Sequence, residues 1–112
     1  MSARVALARV RDASAHAAAP AWLGADERAR WATLAPPRRP AFAASRRLLR
    51  ELLAQATGVP ADLWQVSATA GAAPVATRLD RPGERAPPVS LAHRLDWVAA
   101  AVGDADDGAV GA

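Results

Sequence analysis

The sequence predicts an α+β fold in which one long amphipathic helix packs on a small antiparallel sheet. Residues 38–57 indicate the helix, because large apolar side chains recur there mostly three or four positions apart. Short apolar segments typical of strands precede and follow this helix, and the order strand, helix, helix, strands is typical of α+β domains. A chain of 112 residues is expected to form a single domain with one modest core.

The N-terminal part predicts one strand and one short helix. Residues 4–10 place Val5 and Leu7 on one face and smaller apolar side chains on the other, a pattern typical of a strand covered on both sides. We expect an alanine-rich, flexible connector over 12–20. An acidic first turn followed by apolar residues at helical spacing then predicts a helix over about 25–34, which two prolines end.

The long helix has clear end signals. Gly58 stands where a left-handed C-terminal cap belongs, and Pro60 blocks continuation. Residues 70–86, rich in Gly, Pro and charge, are expected to be a second flexible connector. Strands are expected after the helix at 63–67, 89–92 and 95–102, and the start of one more at 109–110.

Composition excludes some classes of site. The chain has no cysteine, so a disulfide, a thiolate metal site and a cysteine nucleophile are all excluded. All 14 basic residues are arginine and the net charge is +3, which favours anionic partners. The sequence shows neither a secretory signal nor an apolar run long enough to cross a membrane, so we expect a soluble cytoplasmic protein.

Four segments, in this order, carry a family resemblance. The first is Trp-Leu-Gly-Ala-Asp-Glu-Arg-Ala-Arg at 22–30, and the second is Phe-Ala-Ala-Ser-Arg-Arg-Leu-Leu-Arg-Glu-Leu-Leu at 42–53. A Gly-Ala-Ala-Pro-Val turn follows at 71–75, then Ser-Leu-Ala-His at 90–93, which leads into an apolar strand. Together they resemble the N-terminal half of the 4'-phosphopantetheinyl transferases of the two-half, surfactin-synthetase-activating type.

The resemblance implies a fold, a reaction and a set of binding residues. The 112 residues would form one half of the pseudo-twofold transferase fold. The reaction would transfer phosphopantetheine from coenzyme A to a serine of an acyl or peptidyl carrier protein, in fatty acid, polyketide or nonribosomal peptide biosynthesis. By resemblance, the residues that contact coenzyme A would be Arg46, His93, Arg30 and Ser90.

The chain also departs from the family pattern. Ala92 stands where the family usually has serine, and Ala73 replaces the cation of the family's Gly-Lys-Pro or Gly-Arg-Pro turn. Arg78, Arg81 or Arg85 would then be the source of a compensating cation.

The family uses magnesium held by an Asp-x-Glu strand, which would follow residue 112. No catalytic residue and no metal ligand is therefore assigned here, and these residues alone are expected not to catalyse the transfer without a C-terminal half. A rival metal site in the carboxylates of 103–107 lacks the closing glutamate of a calcium loop and fits a turn better.

The alternative function is a non-enzymatic module that binds nucleic acid or an acidic protein through the arginine-rich helix. It predicts salt-dependent binding that is indifferent to His93. It would depend on the arginines at positions 38, 39, 46, 47 and 50. Self-association, as in half-length transferases, is a third possibility.

Overall fold

The computed structural model describes residues 3–10, 19–69, 71–94 and 96–103. It confirms an α+β architecture, with a long helix packed on small antiparallel sheets. The helices are α1 (Ala25–Thr33) and α2 (Arg39–Thr57). The strands are β1 (Ala3–Arg9), β2 (Trp64–Val66), β3 (Ala76–Arg78), β4 (Val89–Arg94) and β5 (Trp97–Gly103).

The helix ends follow the sequence signals. The backbone N–H of Gly24 donates to Glu27 Oε1 at 2.9 Å, which satisfies an orphan donor at the start of α1. A 3₁₀ turn, Pro36–Arg38, leads directly into α2. Gly58 adopts φ 77° and its N–H donates to the Ala54 carbonyl, so the predicted left-handed cap of α2 is confirmed.

Two antiparallel sheets carry the strands. The larger has the order β1-β5-β4, so the N-terminal strand pairs with the last described strand along its whole length, from Ala3 opposite Gly103 to Arg9 opposite Trp97. The smaller is the β2–β3 pair, which is extended by the hydrogen bonds Ser67 N–H to Val75 O and Leu79 N–H to Leu63 O.

The main core lies between α2 and both sheets. Leu49 and Leu53 on α2 are fully buried and pack with Val66 of β2 and with Ala100 and Val102 of β5. A second cluster joins the two helices through Leu23, Trp31 and Ala43. Because α2 contributes to both clusters, its position relative to α1 and to the sheet is fixed by packing on two sides.

Two features differ from the sequence predictions. The prediction that β1 is covered on both faces is wrong, because Val5 and Leu7 are each 67% exposed while α2 packs on the other face of the sheet. The segment expected to be a connector at 70–86 contains β3, whose three residues are too few to give a periodic signal.

Several expectations lie outside the described residues. They concern most of the 12–20 connector, the carboxylates at 104–107 and the strand start at 109–110. Neither described helix is both long and apolar enough to cross a membrane.

The turn after β3 contains a cluster of exposed ion pairs that makes a testable prediction. Arg78 donates to both carboxylate oxygens of Asp80, at 3.0 and 2.8 Å, and to Glu84 at 3.2 Å. The hydrogen bond from Arg78 lowers the pKa of Asp80 below its ordinary value. The native pKa is below the unfolded one, so the pair stabilises the fold above the unfolded pKa, and this contribution is lost as pH falls through the native pKa. An NMR titration of the Asp80 carboxyl should give a higher pKa in Arg78→Ala; an unchanged value would contradict the pairing.

Candidate anion-binding cleft

A cleft of about 560 Å³ opens where the end of α1, the first half of α2, the loop after β2 and the end of β4 meet. Arg30, Arg46 and His93, three of the four predicted coenzyme A residues, line it together with Arg38. The other lining residues are Leu34, Ala41, Phe42, Ser45, Ala68, Thr69, Gly71, Leu91 and Ala92. Residues far apart in sequence thus converge on one concave surface, which is typical of ligand sites.

Arg46 is the most constrained cation of the cleft. Its Nη1 donates to the carbonyl of Ser67 at 2.6 Å, and its guanidinium lies over the Phe42 ring, 5.0 Å from the ring centre. Its Nε is buried and has no hydrogen-bond partner among the described residues. The pKa of the Arg46 guanidinium lies below its ordinary value, and burial is the largest cause. The negative charge of Glu27 acts in the opposite direction, whereas the positive charges of Arg50 and Arg30 lower the pKa further. The side chain nevertheless stays charged at neutral pH, because arginine pKa values lie so far above it.

A buried ion pair lies behind Arg46. The Glu27 side chain is fully buried, and Arg50 is only 3% exposed. Arg50 Nη1 donates to Glu27 Oε2 at 3.0 Å, and Arg50 Nη2 donates to Glu27 Oε1. Arg46 Nη1 lies 3.8 Å from Glu27 Oε2, beyond hydrogen-bond distance. One carboxylate therefore faces two guanidinium groups, and a surplus positive charge remains beside the cleft.

Among the described residues, those that line the cleft include no carboxylate. Within the described ranges, neither Arg30 nor Arg38 forms a salt bridge. His93 reaches the cleft because it lies two residues beyond Leu91, on the face of β4 that packs toward α2. The chemistry that this arrangement favours is the binding of an anion with several acceptor oxygens, such as a phosphate.

Ser90 is not brought to this site. It is exposed and does not line the cleft. Ala92, the departure from the family's serine, does line the cleft.

The arginines that were candidates to replace the missing cation at Ala73 lie elsewhere. Arg78 pairs with Asp80 and Glu84, and Arg81 lies 3.7 Å from Glu84. None of Arg78, Arg81 and Arg85 lines the cleft. Arg38, which was not among the predicted coenzyme A residues, does line the cleft.

The five arginines of the long-helix region do not share one exposed stripe. Arg50 is buried against Glu27, and Arg39 donates to the Trp31 carbonyl at 3.2 Å. Arg47 is exposed but lies 3.9 Å from the Glu51 carboxylate. Only some of the five arginines are therefore available on the surface that a nucleic-acid-binding helix would present.

A magnesium site does not fit the described residues. They contain no cluster of three or more His, Asp or Glu side chains that could hold a metal ion. Magnesium prefers carboxylate oxygens and water, whereas the cleft offers guanidinium groups, hydroxyls and one imidazole. No chemical step through a metal is therefore assigned to this part of the chain.

Glu27 was expected only as part of the acidic first turn of the short helix, and its buried role was not predicted. A signal was present, because Glu27 and Trp31 are four residues apart on one face of α1, and Leu23 lies four residues before Glu27. Leu23 and Trp31 are both buried. A glutamate between them predicts a buried charge, which needs a cationic partner.

Comparisons with known proteins give no assignment: no family model matches the chain, and no curated protein matches it.

Proposed function

We propose that this chain binds the phosphate groups of coenzyme A as part of a 4'-phosphopantetheinyl transferase. The observation that carries the proposal is the convergence of Arg30, Arg46 and His93, predicted from three separate motifs, on one cleft whose described lining residues include no carboxylate. Arg30 and Arg46 come from different helices, and His93 comes from a strand more than 40 positions further along the chain.

Each residue has a distinct role in the proposed site. Arg46, held by Ser67 and Phe42, offers its remaining guanidinium N–H donors to a phosphate oxygen in the cleft. Arg30 and Arg38 add charge at the cleft wall, and His93 donates a hydrogen bond from the end of β4. The acceptor would be a carrier-protein serine, and the magnesium ligands would come from outside the described residues.

The test is a titration of coenzyme A by isothermal calorimetry at fixed ionic strength. We expect Arg46→Ala and His93→Ala each to weaken binding about tenfold, the loss of a charge-assisted hydrogen bond. Arg85→Ala is the matched control, because it removes the same charge from an exposed residue outside the cleft. It should change the dissociation constant less than twofold at physiological salt, since exposed charges are screened.

A second ligand sharpens the assignment. His93→Ala should weaken binding of coenzyme A but not of 3'-dephospho-coenzyme A, because the family's histidine contacts the 3'-phosphate. If Arg46→Ala, His93→Ala and Arg85→Ala all weaken coenzyme A binding equally, the protein binds through its net charge. Duplex DNA should then compete with coenzyme A. Wild-type protein that binds neither form of coenzyme A would refute the proposal.

A further inference from the structure

Arg50 and Arg46 compete for the single carboxylate of Glu27. They lie one helical turn apart on α2, and both approach Glu27 from the same helix. Arg50 makes hydrogen bonds to both carboxylate oxygens. Arg46 is left at 3.8 Å, close enough for electrostatic attraction but without a hydrogen bond.

The two arginines face different parts of the molecule. Arg46 lines the anion-binding cleft, whereas Arg50 lies outside it and contributes to a separate groove with Trp22 and Trp64. A buried guanidinium without a bonded carboxylate is unfavourable unless another anion compensates it. The arrangement therefore leaves the uncompensated charge on the arginine that faces the cleft.

We propose that Arg50 is a positioning residue for anion binding: by occupying both oxygens of Glu27, it keeps Arg46 available to a ligand in the cleft. The inference rests on the proposed anion-binding function. If Arg50 is neutralised, Glu27 is free to bond Arg46 from behind. The cleft then loses its most constrained cation, although the substituted residue never touches the ligand.

The experiment measures dissociation constants for coenzyme A and for inorganic pyrophosphate at fixed ionic strength, corrected for the folded fraction. Arg50→Met should weaken binding of both probes about tenfold, the value expected for losing one charge-assisted hydrogen bond. Glu27→Gln combined with Arg50→Met should restore binding to within about twofold of wild type, because the competing carboxylate is gone and Gln keeps an acceptor for the Gly24 N–H. Arg47→Met is the control, since it removes an exposed charge from the same helix.

A purely structural role predicts different results. In that case the folded fraction of Arg50→Met would bind both probes as Arg47→Met does, and the inference would be overturned. Binding in the double variant that is as weak as in Arg50→Met would overturn it equally. If Arg50→Met is unfolded, Arg50→Lys takes its place, because it keeps the charge but loses the bidentate contact with Glu27. Arg50→Lys is then expected to bind both probes several-fold more weakly than wild type.

A ligand-free measurement separates this inference from the proposed function. The NMR resonance of the Arg46 Nε–H should move in Arg50→Met and return toward its wild-type position in the double variant. If wild-type protein binds neither probe, the proposed function fails, and the resonance then reports only whether Arg50 keeps Glu27 from bonding Arg46. A resonance that does not move in Arg50→Met refutes that role.

Discussion

Replacing Glu27 with alanine is expected to destabilise the fold by about 3–5 kcal/mol, the range found when one partner of a buried ion pair is removed. The substitution leaves the nearly buried Arg50 without its carboxylate, and it removes the acceptor of the Gly24 N–H at the start of α1. Domains of this size have a free energy of unfolding of roughly 5–15 kcal/mol, so much of the total would be lost. Urea denaturation followed by tryptophan fluorescence measures the change.

Two control variants test whether the burial of the Glu27–Arg50 ion pair is the reason for the expected loss of stability. Glu51→Ala removes a carboxylate from the exposed pair with Arg47, whose atoms are 3.9 Å apart, and should change stability by less than about 1 kcal/mol. Replacing Glu27 and Arg50 together with methionine should recover most of the loss, because apolar residues of similar volume avoid the cost of burying charge. A Glu27→Ala variant as stable as Glu51→Ala would show that the pair contributes little to the fold.

The sequence predicted the elements that have strong local signals. The long helix was expected at 38–57 and found at Arg39–Thr57, and the Gly58 cap was correct. Apolar periodicity, a glycine at the C-terminal cap and a nearby proline each act within a few residues, so they can be recognised without knowledge of the tertiary structure.

Features that depend on distant pairing were harder to predict. β3 has three residues, and its partner β2 lies about ten positions earlier, so neither length nor periodicity marks it. The exposed face of β1 could not be predicted either, because alternating apolar residues on both faces do not say which face another element covers.

The candidate site was predicted in part. Arg30, Arg46 and His93 line one cleft, whereas Ser90, the fourth predicted residue, does not. Arg50 was counted among the arginines of the alternative, nucleic-acid-binding helix, although it pairs with Glu27 of α1 in a buried contact. Helical spacing places Arg46 and Arg50 on one face, but only the position of α1 determines which of them meets solvent.

Replacing Leu53 with alanine is expected to cost about 2–5 kcal/mol, through lost apolar burial and a cavity between α2 and the sheets. Leu53 is fully buried in the main core. The same substitution at Leu79, which is 55% exposed, is the matched control and should cost less than about 1 kcal/mol, because it opens no enclosed cavity. Urea denaturation of both variants gives the two values.

The same variant separates stability from binding. Leu53 lies in the core and not in the cleft, so folded Leu53→Ala should keep the wild-type dissociation constant for coenzyme A. Arg46→Ala should bind coenzyme A about tenfold more weakly. Its loss of stability should be smaller than that of Leu53→Ala, because the Arg46 guanidinium lies at the cleft wall and makes no hydrogen bond to a carboxylate. Loss of binding in folded Leu53→Ala would mean that the cleft depends on the packing of α2 as a whole, and its affinity could then not be assigned to individual cations.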